Sequence, residues 1–284
     1  MRARELTVQN FSVAEHLLQL HQLFRDLREH PVDEQVRLAV CRCLQVPEHT
    51  VLRQADNEQV VLLATAAAPI PWALLVPDGT NFLLRLAVVV ACTALEAFFW
   101  DVLRENVLTI VRARKRQADK SLRELILTLD DYLSLEVYSY QDYRLKQIIL
   151  KNFERGTLYD AGSIEKIAMI LTVRDFWKQV AQRCGMKDQD IKTHLNELIS
   201  RRNQVAHRAD RPDESAQPAE ETDGHGLRAI NYAWVSLRVA TAHNVVEASS
   251  DIFRPTLAGL ERQLEQEHEQ ELARRTLPTE ESQG

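Results

Sequence analysis

At 284 residues with a net charge of −6, the chain fits one large domain or a domain with a smaller attachment, and it argues against a protein that grips nucleic acid over its whole surface. Apolar residues make up 45% and charged ones 27%, which suits a soluble core and is too apolar for global disorder. Four scattered cysteines (Cys41, Cys43, Cys92, Cys184) form no Cys-x-x-Cys pair, so they read as buried or half-buried free thiols in a reducing cytoplasm rather than as a zinc or disulfide framework.

The first residues, with Arg2, Arg4 and Glu5, lack the apolar core of a signal peptide. Residues 1–68 read as two to four short helices. Val13, Leu17, Leu20, Phe24 and Leu27 form one stripe, and Val36, Val40, Cys43 and Leu44 another, with breaks at Pro31, Pro47 and Pro69. Gln59–Ala67 suits either a buried helix or a strand. Pro69-Ile70-Pro71 through Pro77-Asp78-Gly79 marks a boundary, so residues 1–79 are set apart as a small helical N-terminal extension.

Thr80 or Asn81 can cap a long helix from about Phe82 to Arg116. Its first half is apolar all round, as in a central bundle helix. The apolar run Leu86 to Leu95, bounded by Arg85 and Glu96, falls short of the ~20 residues that span a bilayer. A soluble, cytoplasmic protein is expected. Further helices follow at Ser121–Tyr132, Tyr140–Asn152, Ser163–Cys184, Ile191–Ala209 and Leu227–Phe253. Between the last two, Ala209–Gly226 is acidic and poor in apolar residues, which reads as a solvated, mobile loop. Residues 256–284 read as an exposed helix with a loose tail. The expected fold is all-α: a helical bundle over residues 80–255 with that extension.

Arg201-Arg202-Asn203-Gln204-Val205-Ala206-His207 is the stretch that looks most like chemistry. A histidine moves protons near neutral pH, and a fixed cation can sit beside a phosphate. Advancing about 100° per residue, Leu195, Leu198, Val205 and Ala206 share one core-facing stripe with Arg202 near its middle, while Asn203 and His207 lie together on its flank. A guanidinium on an apolar stripe needs a partner or an interface. Glu96, a lone carboxylate in Ala94-Leu95-Glu96-Ala97-Phe98-Phe99, is a candidate partner, so a structural Arg202–Glu96 pair is one reading. From position alone, a histidine at a helix end reads as structural or as a cation compensating the helix dipole.

Arg202-Asn203-x-x-x-His207, late in a helix of an all-α domain, resembles the Arg-x(4–6)-His signature of HEPN domains. With the upstream Leu-Glu-Ala-Phe helix it is most similar to the RiboL-PSP branch, over about residues 80–255. That resemblance implies a metal-independent, cofactor-free endoribonuclease acting as a homodimer with a composite cleft. His207 would activate the ribose 2′-hydroxyl or protonate the leaving 5′-oxygen. Arg202 would hold the scissile phosphate, Asn203 would orient phosphate or histidine, and Glu96 would position Arg202. Arg201 and Arg208 would add positive potential for RNA. The expected products carry 2′,3′-cyclic phosphate and 5′-hydroxyl ends, in anti-phage defence or a toxin system. Residues 1–79 would recognise a protein partner, a trigger or RNA. Ala209 stands where toxins paired with a nucleotidyltransferase antitoxin carry a tyrosine, which argues against control by modifying such a residue.

The alternative is a non-catalytic helical module that dimerises or binds a partner through the same face, or an antitoxin-like regulator whose acidic 210–224 loop mimics nucleic acid. Among lesser candidates, the basic run Arg112-Ala113-Arg114-Lys115-Arg116 reads as a solvated helix end more than as a phosphate contact. Trp177, Tyr232, Trp234 and Phe253 read as core more than as base-stacking residues. His16 and His21 lack the pattern of a metal site, and Asp130-Asp131 and Asp188/Asp190 read as helix caps.

Overall fold

A computed structural model of the chain describes residues 2–29, 32–55, 60–64, 76, 78–115, 120–123, 125, 127–137, 139–153, 160–213, 215–216 and 218–276. The elements are α1 (Arg2–Glu29), α2 (Glu34–Cys43), β1 (Val51–Ala55), β2 (Val60–Ala64), α3 (Asn81–Arg114), α4 (Lys120–Arg123), α5 (Leu129–Val137), α6 (Gln141–Phe153), α7 (Ala161–Ile170), α8 (Phe176–Cys184), α9 (Asp188–Arg208) and α10 (Tyr232–Thr276). The architecture is helical, as composition and periodicity imply. A small antiparallel hairpin accompanies it, with Val51 opposite Ala64 and Ala55 opposite Val60. That settles the choice left open at Gln59–Ala67 in favour of a strand over residues 60–64, where the β-branched Val60 and Val61 suit a pleated ribbon. The proline-rich boundary from 69 to 75, Pro31, Pro77 and Arg116 lie outside the described residues.

Two helices expected to be continuous are each divided. Over 163–184, α7 and α8 are separated by Thr172 and Asp175, whose φ angles of 60° and 49° are left-handed and stop a right-handed helix. Over 121–132, α4 ends early and α5 begins at a reciprocal cap. The Asp131 amide donates to Thr128 Oγ1 at 3.1 Å and the Thr128 amide donates to Asp131 Oδ2 at 3.2 Å. The opposite happens at the C-terminal side. The expected closing helix and the expected exposed helix are one 45-residue element, α10, running through Pro255. Its start is capped by Asn231, whose Oδ1 accepts the Trp234 amide at 2.8 Å.

Packing divides the chain into two compact units. One comprises Met1–Val8, Ala94–Asn196 and Thr241–Gly284; the other comprises Gln9–Thr93 and Glu197–Ala240. The first has an aromatic core: Phe176 stacks on Phe253 at 5.5 Å between centroids, and Phe99 meets Phe253 edge-on at 6.3 Å. Trp177 is buried there too, so Trp177 and Phe253 are core residues, as their spacing suggests. The basic end of α3 is also occupied: Arg112 pairs with Asp142, Arg114 donates to Thr172 Oγ1 at 3.0 Å, and Lys115 meets Glu267 at 2.7 Å.

In the second unit, Phe11, Ala14, Leu18, Leu84, Val88, Leu198, Val235 and Val239 are buried. His21, also buried, stacks on Tyr232 with centroids 6.0 Å apart. The Cys92 thiol lies 3.7 Å from the Leu198 carbonyl. Cys41 and Cys92 are buried and Cys184 is half-buried, but Cys43 is exposed, contrary to the apolar stripe to which it was assigned. By length and composition α3 matches a membrane span, yet most of its apolar window is buried inside the protein. It is a core helix.

Candidate functional site

Helix α9 carries Asp188 and Asp190 in its first turn and Arg208 in its last, charges that complement the helix dipole at both ends, and His207 shares that last turn. Ile191, Leu195 and Leu198 are fully buried, as helix arithmetic requires. Farther along, the same stripe opens. Val205 is half-buried and Ala206 exposed, so the expected core-facing stripe is not buried over its last two turns.

The candidate residues occupy different settings. Arg202 is half-buried, and its Nη1 donates to Asn203 Oδ1 at 3.0 Å. His207 is exposed, and its ring makes no hydrogen bond among the described residues. By helix arithmetic Arg202 and His207 leave the axis about 140° apart, whereas Asn203 and His207 are only about 40° apart. The bond to Asn203 therefore draws the guanidinium toward the histidine's side. Glu96 is half-buried on α3, in the first compact unit. Arg208 is exposed and lies 3.8 Å from Asp213.

Arg201 is engaged within the protein. Its Nη2 donates to Asp210 Oδ2 at 2.8 Å and to the carbonyls of Arg228 and Ala229 at 2.9 and 3.2 Å. Burial, opposed by the carboxylate of Asp210 and reinforced by the positive fields of Arg85 and Arg228, sets its pKa below the usual guanidinium value. Much of its charge is thus answered inside the protein, and it anchors the loop that follows α9.

That loop overturns the expectation of a solvated, mobile segment. Asp210 and Asp223 have side chains only 1% and 2% exposed, and both pair with Arg85 of α3, at 2.5 and 2.7 Å. Asp223 is fully satisfied. Its Oδ2 also accepts from Asn81 Nδ2 at 3.4 Å, and its Oδ1 accepts the amides of His225 and Leu227 at 2.9 and 3.1 Å. Burial alone would raise the Asp223 carboxyl, but the Arg85 guanidinium, these amides and Asn81 together hold it down to about 2. Asn81, expected as a helix cap, spends its side-chain amide on Asp223 and on Asp78 at 3.1 Å. Arg228, paired with Glu220 at 2.9 Å, completes the network. A cation inside the apolar face of α3 was the available signal, since buried charges are normally paired.

The junction is strained. Ala209 and Asp210 both adopt left-handed φ, at 48° and 57°, and the Asp210 amide reaches back to the Gln204 carbonyl at 3.0 Å. A non-glycine residue held there costs roughly 1 kcal/mol. Ala209→Gly, which accepts that φ freely, is expected to raise the urea midpoint by an amount worth up to about 1 kcal/mol. A lowered midpoint would contradict the strain.

The family model described as RiboL-PSP-HEPN matches residues 65–225, a span that includes α3, α9 and the clamped loop. The chain belongs to the RiboL-PSP-HEPN family. Among curated proteins and among solved structures no significant match is found. Membership gives this RiboL-PSP-HEPN chain an all-α fold and points to a ribonuclease or other nucleic-acid-related function, with RNA or a second subunit as the kind of contact it makes.

Proposed function

We propose that this RiboL-PSP-HEPN chain is a metal-independent endoribonuclease. The observation that carries the reading is His207: an exposed imidazole with no hydrogen-bond partner among the described residues, four residues after an asparagine that holds a guanidinium. A histidine kept for structure would be expected to bond to something. In the proposed reaction His207 takes the proton of the ribose 2′-hydroxyl or returns one to the leaving 5′-oxygen. Arg202 neutralises the charge that builds on the phosphate oxygens, and Asn203 fixes the guanidinium. The phosphate bond to the 5′-oxygen breaks as the bond to the 2′-oxygen forms, giving a 2′,3′-cyclic phosphate and a 5′-hydroxyl.

The open end of the α9 stripe supports a homodimer. Val205 and Ala206 are incompletely covered in one copy, and a second α9 packed there would bring a second Arg202 toward each His207. Arg208 would meet RNA phosphates. A cytoplasmic role in defence or as a toxin is the corresponding context. The test is incubation of the purified protein with RNA in EDTA, with the product ends identified. Cyclic-phosphate ends from wild type and none from His207→Ala are expected. No cleavage, or equal cleavage by the variant, would leave the partner-binding module as the better account.

A further inference from the structure

A cavity of about 330 Å³ lies within the second compact unit, reaching along α9 as far as Gln204, three residues before His207. One wall comes from α9 and is polar: Glu197, Ser200 and Gln204. The other is largely apolar, with Ile230 and Trp234, and Asn231 stands between them. A flat apolar wall facing a few hydrogen-bonding groups suits a planar heteroaromatic ligand. We infer that this cavity binds a nucleobase, namely a base of the RNA strand next to the bond on which His207 acts. The inference rests on the ribonuclease reading for its choice of RNA.

Trp234 is prepared for that role. The Arg238 guanidinium lies 4.3 Å from its ring centroid. Arg238 is itself held by Glu197, with Nε donating at 2.8 Å and Nη2 donating to the same oxygen, and its Nη1 donates to the Trp234 carbonyl at 3.3 Å. The ring is therefore oriented before any ligand arrives, which lowers the ordering cost of stacking on it. A purely structural tryptophan would be covered as Trp177 is, at 3% exposure, whereas Trp234 is half-buried. Arg201 also lines the cavity, and its buried Nε–H has no acceptor among the described residues. It is a donor still to be satisfied.

Position links the cavity to the chemistry. Ser200, Gln204 and His207 recur at four- and three-residue steps, so they share one side of α9. His207 lies only about 4.5 Å along the axis beyond Gln204, a step that a single nucleotide bridges. A base in the cavity would set which phosphate reaches His207, so Trp234 and Gln204 would govern cleavage-site preference.

The test uses the full chain and three kinds of probe: each of AMP, GMP, CMP and UMP; the base-free ribose 5-phosphate; and a single-stranded RNA made uncleavable by 2′-O-methylation. Tryptophan fluorescence should be quenched by the RNA and by at least one nucleotide. Trp234→Phe should lose the quench but keep affinity, and Trp234→Leu should bind the RNA about tenfold more weakly. Gln204→Ala should change which base is preferred. Both Trp234 variants should keep the wild-type urea midpoint. If cleavage depends on His207 but neither quenching nor affinity depends on Trp234, the nucleobase site is overturned while the nuclease stands. If nucleotides bind through Trp234 and no RNA is cut, the site is upheld with a free nucleotide as its ligand, and the ribonuclease reading fails. If only the base-free analogue ribose 5-phosphate competes, the cavity reads phosphate and the inference is wrong.

Discussion

Arg85→Ala should lower the stability of the protein by about 3–5 kcal/mol, the range for removing one partner of a buried ion pair. Among the described residues, the variant leaves Asp210 with Arg201 alone and removes the only cation on Asp223. At 1% and 2% exposure neither carboxylate can turn to water for compensation. The urea midpoint at pH 7 is the measurement, with Arg208→Ala as the control. Arg208 is exposed and only 3.8 Å from Asp213, and surface pairs of that kind are worth about 0–1 kcal/mol. Equal midpoints for the two variants would mean that the network does not hold the loop. Acid should reveal the same clamp. Asp223 is depressed from 3.8 to about 2, so its contribution is complete above its unfolded value and is lost as pH falls from about 4 through about 2. The loss should amount to about 2 kcal/mol, and it should be missing from the acid limb of Asp223→Asn.

His207→Ala should lower RNA cleavage by about 10²–10⁴-fold, the usual contribution of a positioned acid or base, while its urea midpoint stays within about 0.5 kcal/mol of wild type. The separation of the two readouts follows from exposure. A side chain with no hydrogen bond among the described residues has little folded-state interaction to lose. Arg202→Lys sharpens the assignment, because lysine keeps the charge but loses the planar fork that bonds Asn203 and that, in the proposed reaction, would grip a phosphate. It should therefore also cut slowly, and the defect should appear in kcat more than in KM if the guanidinium acts mainly on the transition state. Wild-type cleavage by both variants would move the chemistry elsewhere on the molecule.

Much of the helical architecture was legible because it is periodic. Ile191, Leu195 and Leu198 announce the buried side of α9, and the same arithmetic puts Asn203 beside His207. The candidate site was legible as residues but not as surroundings. Arg85 meets Asp210 and Asp223 across 125 and 138 positions of sequence, and no local pattern encodes such a pairing. In sequence those aspartates belong to an acidic stretch that resembles a solvated loop. Arg85, like Arg202, is a cation on an apolar helix face, yet in sequence it stands only at the edge of an apolar run. The break between α7 and α8 was hidden for another reason: it depends on left-handed backbone at Thr172 and Asp175, residue types that do not advertise it as glycine would.

The clamp has a consequence for how this part of the chain can vary. Asp210 is tied at one end of the loop, and Glu220 and Asp223 are tied at the other. The residues between them, such as Arg211, Asp213 and Ser215, lie mostly at the surface. Once both ends are pinned, doubling the length of the connecting segment costs only about 0.6 kcal/mol in closure entropy. Residues 211–219 therefore form a tolerant insertion point, where extra sequence could be carried without disturbing α9, while a single deletion that pulled Asp210 away from Arg85 would loosen the end of the segment that joins α9.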